Sequence, residues 1–240
     1  MEEKNVQLKK FENMLATIER IREMQSKAGG SVFIELIGTP RSGKTVMQNT
    51  LTKLLKDNGV STVIRKSPTT YCPLKPEHYM YNLWITAEIL KKVAIDLNRE
   101  NPEIVIYDSG MLARIPWLRY DIARGAISRT DYDILLSNYD ISLYRKYKPI
   151  SQVFMTSPEK AESRKKNGKD RISRFFIEDY NMMLEDSFYE IKQRSRSFSI
   201  AETDRYGDDL KGLAVDILPD LLTRVEKEFN RLCCYKDFYE

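Results

Sequence analysis

The stretch Ser31-Val-Phe-Ile-Glu-Leu-Ile-Gly38-Thr-Pro-Arg-Ser-Gly43-Lys44-Thr45 decides how the rest of the chain is read. Its first half is a short, nearly continuous apolar run, as expected of a strand buried in a parallel sheet. Its second half fits G-x-x-x-x-G-K-[ST], and Val46, Leu51, Leu54 and Leu55 follow at helical spacing. Each position of this loop has a chemical reason. Gly38 and Gly43 let the backbone turn so that successive N–H groups point inward at a phosphate. Lys44 reaches the β- and γ-phosphates, and the Thr45 hydroxyl suits Mg²⁺. Thr39, Pro40, Arg41 and Ser42 complete the cradle, and the helix beginning at Gly43 adds its dipole. Residues 38–45 are therefore the candidate ATP site, with Mg²⁺ as cofactor.

Working outward, residues 3–27 carry Leu8, Phe11, Leu15 and Ile18 at 3-4-3 spacing among charges, an amphipathic helix ending at Gly29-Gly30. The spacing predicts a helix that packs its stripe on the domain behind it. Pairing in a homodimer is the alternative, although fewer than two heptads is short for an autonomous coiled coil. Further strands are read at 61–65, 104–107, 152–156 and 198–201. Helices are read at 44–57, 77–99, in two stretches within 111–147, at 174–194 and at 208–232. Alternating strands and helices predict a parallel sheet covered on both faces. The expected division is a helix over 1–30 and one α/β domain over 31–240.

Composition fits that reading. The 240 residues are 42% hydrophobic and 31% charged, a globular profile. Lys and Arg number 39 against 35 Asp and Glu, too even a balance for a dedicated nucleic-acid binder. Cys72, Cys233 and Cys234 form no CxxC pair, consistent with reduced thiols in a cytoplasmic setting. His78 is the single histidine, which excludes multi-histidine metal sites. No apolar run reaches the ~18–20 residues of a membrane span. The charged first thirty residues do not fit a secretory signal.

The chain carries no N-K-x-D or T-K-x-D guanine-reading motif, and the strand at 104–107 runs into Asp108-Ser109-Gly110 with a single acid. A motor ATPase usually carries a second acid there to polarise water. Asp108 has two roles open to it: to hold Mg²⁺, or to take the proton of an attacking hydroxyl or phosphate. From Ser157 to Arg174, seven of eighteen residues are Lys or Arg. A helix broken at Asn167-Gly168 would present Arg164, Arg171 and Arg174 from both sides of a hairpin. Such a cover, over about 157–176, closes on ATP and neutralises charge on the transferring phosphoryl group.

In these features residues 31–206 resemble the P-loop nucleoside and nucleotide kinases, the thymidylate kinase-like and deoxynucleoside kinase group. The resemblance implies a P-loop NTPase α/β/α fold with a five-stranded parallel sheet in the order 2-3-1-4-5. It implies an acceptor-gripping role for Arg65, and for Asp108 the role of the acid in the group's D-R-[YFS] or E-R-S motif. It also implies an adenine-binding loop near Glu202-Thr203-Asp204-Arg205. Two departures stand out: Ser109 and Gly110 follow the acid where the group has Arg, and Arg65-Lys66-Ser67-Pro68 lacks the acid of its Arg-Glu-Pro-Gly. Arg114 or Arg119 on the next helix is the candidate replacement for the missing arginine. The acceptor pocket is expected between 66–90 and 108–125, where Tyr71, Trp84 and Trp117, together with Tyr79, Tyr81 and Tyr120, supply aromatic faces or core packing.

The sequence therefore predicts an ATP- and Mg²⁺-dependent kinase of a nucleoside or nucleoside monophosphate, with no membrane or stable nucleic-acid partner. The alternatives are an ATP-binding regulatory switch, or a kinase of RNA ends or another macromolecule. For RNA the discriminator is binding that weakens steeply with salt.

Overall fold

The structure, a computed structural model, describes residues 2–75, 78, 80–137, 147–164, 173–208 and 210–236. Five parallel strands, β1 (Val32–Gly38), β2 (Thr62–Arg65), β3 (Ile104–Asp108), β4 (Ile150–Met155) and β5 (Ser197–Glu202), form one sheet in the order β2-β3-β1-β4-β5. This is the order implied by the resemblance. It puts β1 at the centre, with Leu36 opposite Asp108 on one side and Gly38 opposite Phe154 on the other.

Both faces of β1 are covered, which is why its sequence is an almost unbroken apolar run. Ile34 and Leu36 face one core, shared with α1 (Glu2–Gln25), α2 (Lys44–Asp57) and α9 (Lys211–Lys236). Phe33 and Ile37 face the other, shared with α3 (Tyr81–Leu97), α4 (Arg114–Ala123), α7 (Arg174–Asp186) and α8 (Phe188–Arg194). Two further α-helices are α5 (Arg129–Ser137) and α6 (Pro158–Ser163), and a 3-10 turn spans Pro68–Thr70.

Three details depart from the sequence reading. The amphipathic stripe of α1 is displaced: Leu8 and Phe11 are exposed, whereas Met14, Ile18 and Ile21 enter the core beside α9. Apolar spacing alone allows several registers, and the face of α9 selects one. The helix expected over 174–194 breaks at Ser187, whose Oγ donates to the Met183 carbonyl at 2.6 Å and competes with the helical ladder. The last helix begins at Lys211 and runs through Pro219 to Lys236. The hairpin break expected at Asn167-Gly168 and the lid residue Arg171 lie outside the described residues, as does Tyr79.

Candidate active site

The loop after β1 is built by close approach. A Cβ on Gly38 would stand 2.0 Å from the Phe154 carbonyl oxygen of β4, and one on Gly43 would stand 2.5 Å from Leu213 of α9. Both glycines also have positive φ, 140° and 97°. Arg41, with φ 62°, is a non-glycine residue in the left-handed region, the kind of strain that collects at functional loops. Thr39 fixes the near side of the loop: its N–H donates to the Phe154 carbonyl at 3.0 Å and its Oγ1 donates to Asn181 Oδ1 at 2.6 Å.

A cavity of about 350 Å³ sits over this loop, lined by residues 41–46 with Asp108, Arg164, Asp208 and Leu210. Lys44, at the start of α2, and Asp108, at the end of β3, thus face the same space. Part of the Lys44 side chain reaches solvent, but its ammonium is enclosed, donating to the carbonyls of Gly38 at 2.8 Å and Thr39 at 2.7 Å. That enclosure pulls its pKa down to about 8, against the opposing pull of Asp108. Ser42 Oγ is buried here with no hydrogen-bond partner. An orphaned hydroxyl, an enclosed ammonium, and Thr45 and Asp108 lining one cavity fit a polyphosphate carrying a divalent cation. Among the described residues no cluster of three His, Cys, Asp or Glu offers a metal cage independent of such a ligand.

Arg164 lies at the C-cap of α6, and its position comes from tertiary contacts. Its guanidinium donates to Thr156 Oγ1 at 3.1 Å, to Thr203 Oγ1 at 3.0 Å and to the Thr203 carbonyl at 2.6 Å. It is 7% exposed, and burial lowers its pKa. The same contacts occupy the expected adenine loop. Thr203 is tied to Arg164, and Asp204 Oδ1 accepts from Thr156 Oγ1 at 2.7 Å and from the Ser157 N–H at 2.9 Å. Arg174 stays on the surface, paired with Glu159 and with Glu178.

On the acceptor side, Arg65 ends β2 as expected, but its guanidinium is paired with Asp96 of α3 at 2.5 and 2.9 Å. The Tyr107 hydroxyl donates to the same carboxylate at 2.6 Å. Arg114 is buried between α3 and α4 and donates to Asn82, whose amide in turn donates to Asp121. Arg119 pairs with Glu190 of α8 at 2.7 Å. Trp117 packs against Tyr180 at 4.8 Å and Phe176 at 5.6 Å, while Trp84 meets the exposed Tyr71 edge-on at 5.7 Å.

Sequence reasoning passed over Glu35. It lies in the middle of β1, fully buried, and its carboxylate accepts the Ala113 N–H at 2.8 Å and the Tyr147 hydroxyl at 3.1 Å. Burial pushes its pKa up to about 7, moderated by those hydrogen bonds. A Cβ on Gly110 would stand 2.8 Å from its Cδ. Glu35 therefore anchors the turn that leaves Asp108, where Ser109 takes φ 60°, and Gly110 is the residue small enough to pass over it. The only signal in the sequence was a charge inside an apolar strand.

No protein-family model and no curated sequence matches the chain. Solved structures do. Deoxyadenosine kinase from M. mycoides with bound dATP superposes with a TM-score of 0.61 at 18% identity, over 80% of this chain and 99% of that one. The same kinase with products dCMP and a flexible dCDP gives 0.58 at 18% identity, over 81% and 100%. With bound dCTP it gives 0.57 at 17% identity, over 80% and 99%. Almost the full length of that kinase is matched, and the chain has its fold.

Proposed function

We propose that this chain is a nucleoside or nucleoside monophosphate kinase, transferring the γ-phosphoryl group of ATP to a hydroxyl of a nucleoside or to a phosphate oxygen of a nucleoside monophosphate. The observation that carries this reading is the convergence of Lys44, Thr45, Asp108 and Arg164 on one cavity above a glycine-built phosphate cradle. The likeness to a deoxyadenosine kinase fold supports it, and the pocket's place at the carboxyl ends of a parallel sheet is where such folds bind ligands.

The loop amides and Lys44 hold the donor phosphates. Thr45, with Asp108 through a water, would hold Mg²⁺, which would supply charge neutralisation at the phosphates. The acceptor oxygen bonds to the γ-phosphorus as the bond to the bridging oxygen breaks. ADP departs with that electron pair, and any proton on the acceptor oxygen passes to Asp108. Arg164, with Arg171 and Arg174 from the lid, balances charge on the group in flight. Thr203 and Asp204 border the donor base. Arg114, Arg119, Tyr71, Trp84 and Trp117 shape the acceptor side, and Arg65 serves it by fixing the end of β2 against α3.

The test is ADP release from Mg·ATP against a panel of nucleosides and nucleoside monophosphates. An acceptor-dependent signal is expected, abolished by Lys44→Ala and reduced about 10²–10⁴-fold by Asp108→Asn. ATP binding that no acceptor converts into turnover would replace this reading with that of a nucleotide switch.

A further inference from the structure

Parallel strands leave one edge of the sheet to the phosphate loop and the opposite edge, where the strands begin, without assigned chemistry. On that far edge a second cavity of about 360 Å³ opens between the turn before β1, the end of α3 and the last turns of α9. Four cationic side chains from separate parts of the chain line it: Arg99 after α3, Lys148 before β4, Arg196 before β5 and Arg231 in α9. Phe33 and Leu232 give it an apolar wall, and the backbone at Gly30 has open space beside it.

The charges there do not cancel. Asp96 is shared by Arg65 and Arg99, and Glu228 by Arg196 and Arg231, while Glu103 takes a second contact from Arg99. Lys148 is exposed and makes no ion pair among the described residues. Among the described residues, four cations and one carboxylate, Asp96, line the hollow itself. At the two helix ends nearby, some of the last carbonyls are taken up locally. Met24 O accepts from the N–H groups of Lys27 and Ala28, and Asn98 takes up Ile95 O and Ala94 O.

We infer that this cavity is a second ligand site, remote from the phosphate loop, for a phosphorylated small molecule of nucleotide size. Its volume lies in the range of small-ligand pockets, roughly 300–1,000 Å³. The phosphates meet Lys148, Arg196 and Arg231, and the organic part rests on Phe33 and Leu232. The site does not depend on the chemistry at the loop.

The test uses the full chain carrying Lys44→Ala, so that the loop site is weakened, titrated calorimetrically with tripolyphosphate and with ATP in 0.15 M salt. One bound anion is expected, weakened at least tenfold by adding Lys148→Glu and, separately, by adding Arg231→Gln. Equal binding of the two probes assigns the site to polyphosphate and tighter ATP assigns it to a nucleotide, and either supports the inference. Absence of binding in Lys44→Ala overturns it, as does an affinity that neither second substitution changes. A single-stranded RNA that binds with this mutational pattern while tripolyphosphate does not also overturns it, in favour of a nucleic-acid surface. Should Lys148→Glu fail to fold, Lys148→Ala and Arg231→Gln make the same comparison.

Discussion

Glu35 and Gly38 sit three residues apart on one strand and are fixed by opposite constraints. Glu35 is a carboxyl whose burial raises its pKa from 4.5 to about 7, so the folded protein holds a proton there that the unfolded chain releases above pH 4.5. Stability from this group is present below pH 4.5 and is lost as pH rises through about 7, by about 1–3 kcal/mol. Glu35→Gln keeps an acceptor for the Ala113 N–H and removes the proton. Thermal melts between pH 5 and 8 are expected to lose that part of their slope in the variant, and an unchanged slope would exclude Glu35 as its origin. Gly38 is fixed by backbone contact. Its missing Cβ would stand 2.0 Å from a strand carbonyl, which no side-chain rotation relieves. Gly38→Ala is expected to cost on the order of 3 kcal/mol or more, read as a lowered melting midpoint, because overpacking here also carries a forbidden φ.

Among the elements, α1, like the helix that breaks at Ser187, has a pattern that misled. Its charges and its Leu8-Phe11-Leu15-Ile18 spacing fit an amphipathic helix, but the buried line is Met14, Ile18 and Ile21. Ile18 is 1% exposed and Phe11 48%, so their truncations should differ sharply. Ile18→Ala is expected to cost about 2–4 kcal/mol in denaturant melts, and Phe11→Ala less than about 0.5. Equal costs would mean that the first turns of α1 are also packed. In the β1–α2 unit, by contrast, sequence and structure agree closely: the helix expected over 44–57 is Lys44–Asp57. Strand, loop and helix there are each set by local rules that point the same way.

For the whole molecule, α1 shares one core with β1, α2 and α9, and Arg20 pairs with Glu226 across the joint. Removing residues 1–27 would expose the apolar faces of Val225 and Phe229. The truncated chain is expected to be insoluble, or to melt at least ten degrees lower, and a soluble truncation with the parent midpoint would show that the remaining 28–240 forms an independent domain.

The sequence by itself determined the layered α/β class, the phosphate loop and the positions of the five strands, because buried parallel strands and glycine-built loops follow from local patterns of apolar and small residues. It also marked Asp108 as an acid at a strand end. Only the tertiary structure decided which partners each polar group met. Arg65 turned to Asp96, Arg164 to Thr203, and Glu35 to the turn behind Asp108, each across more than thirty residues of chain. A side chain's hydrogen-bond partner depends on which distant segment the fold brings within 3 Å, and local sequence spacing carries no record of that. The same reason hid the basic cavity at the far edge of the sheet, whose four cations are spread from residue 99 to residue 231.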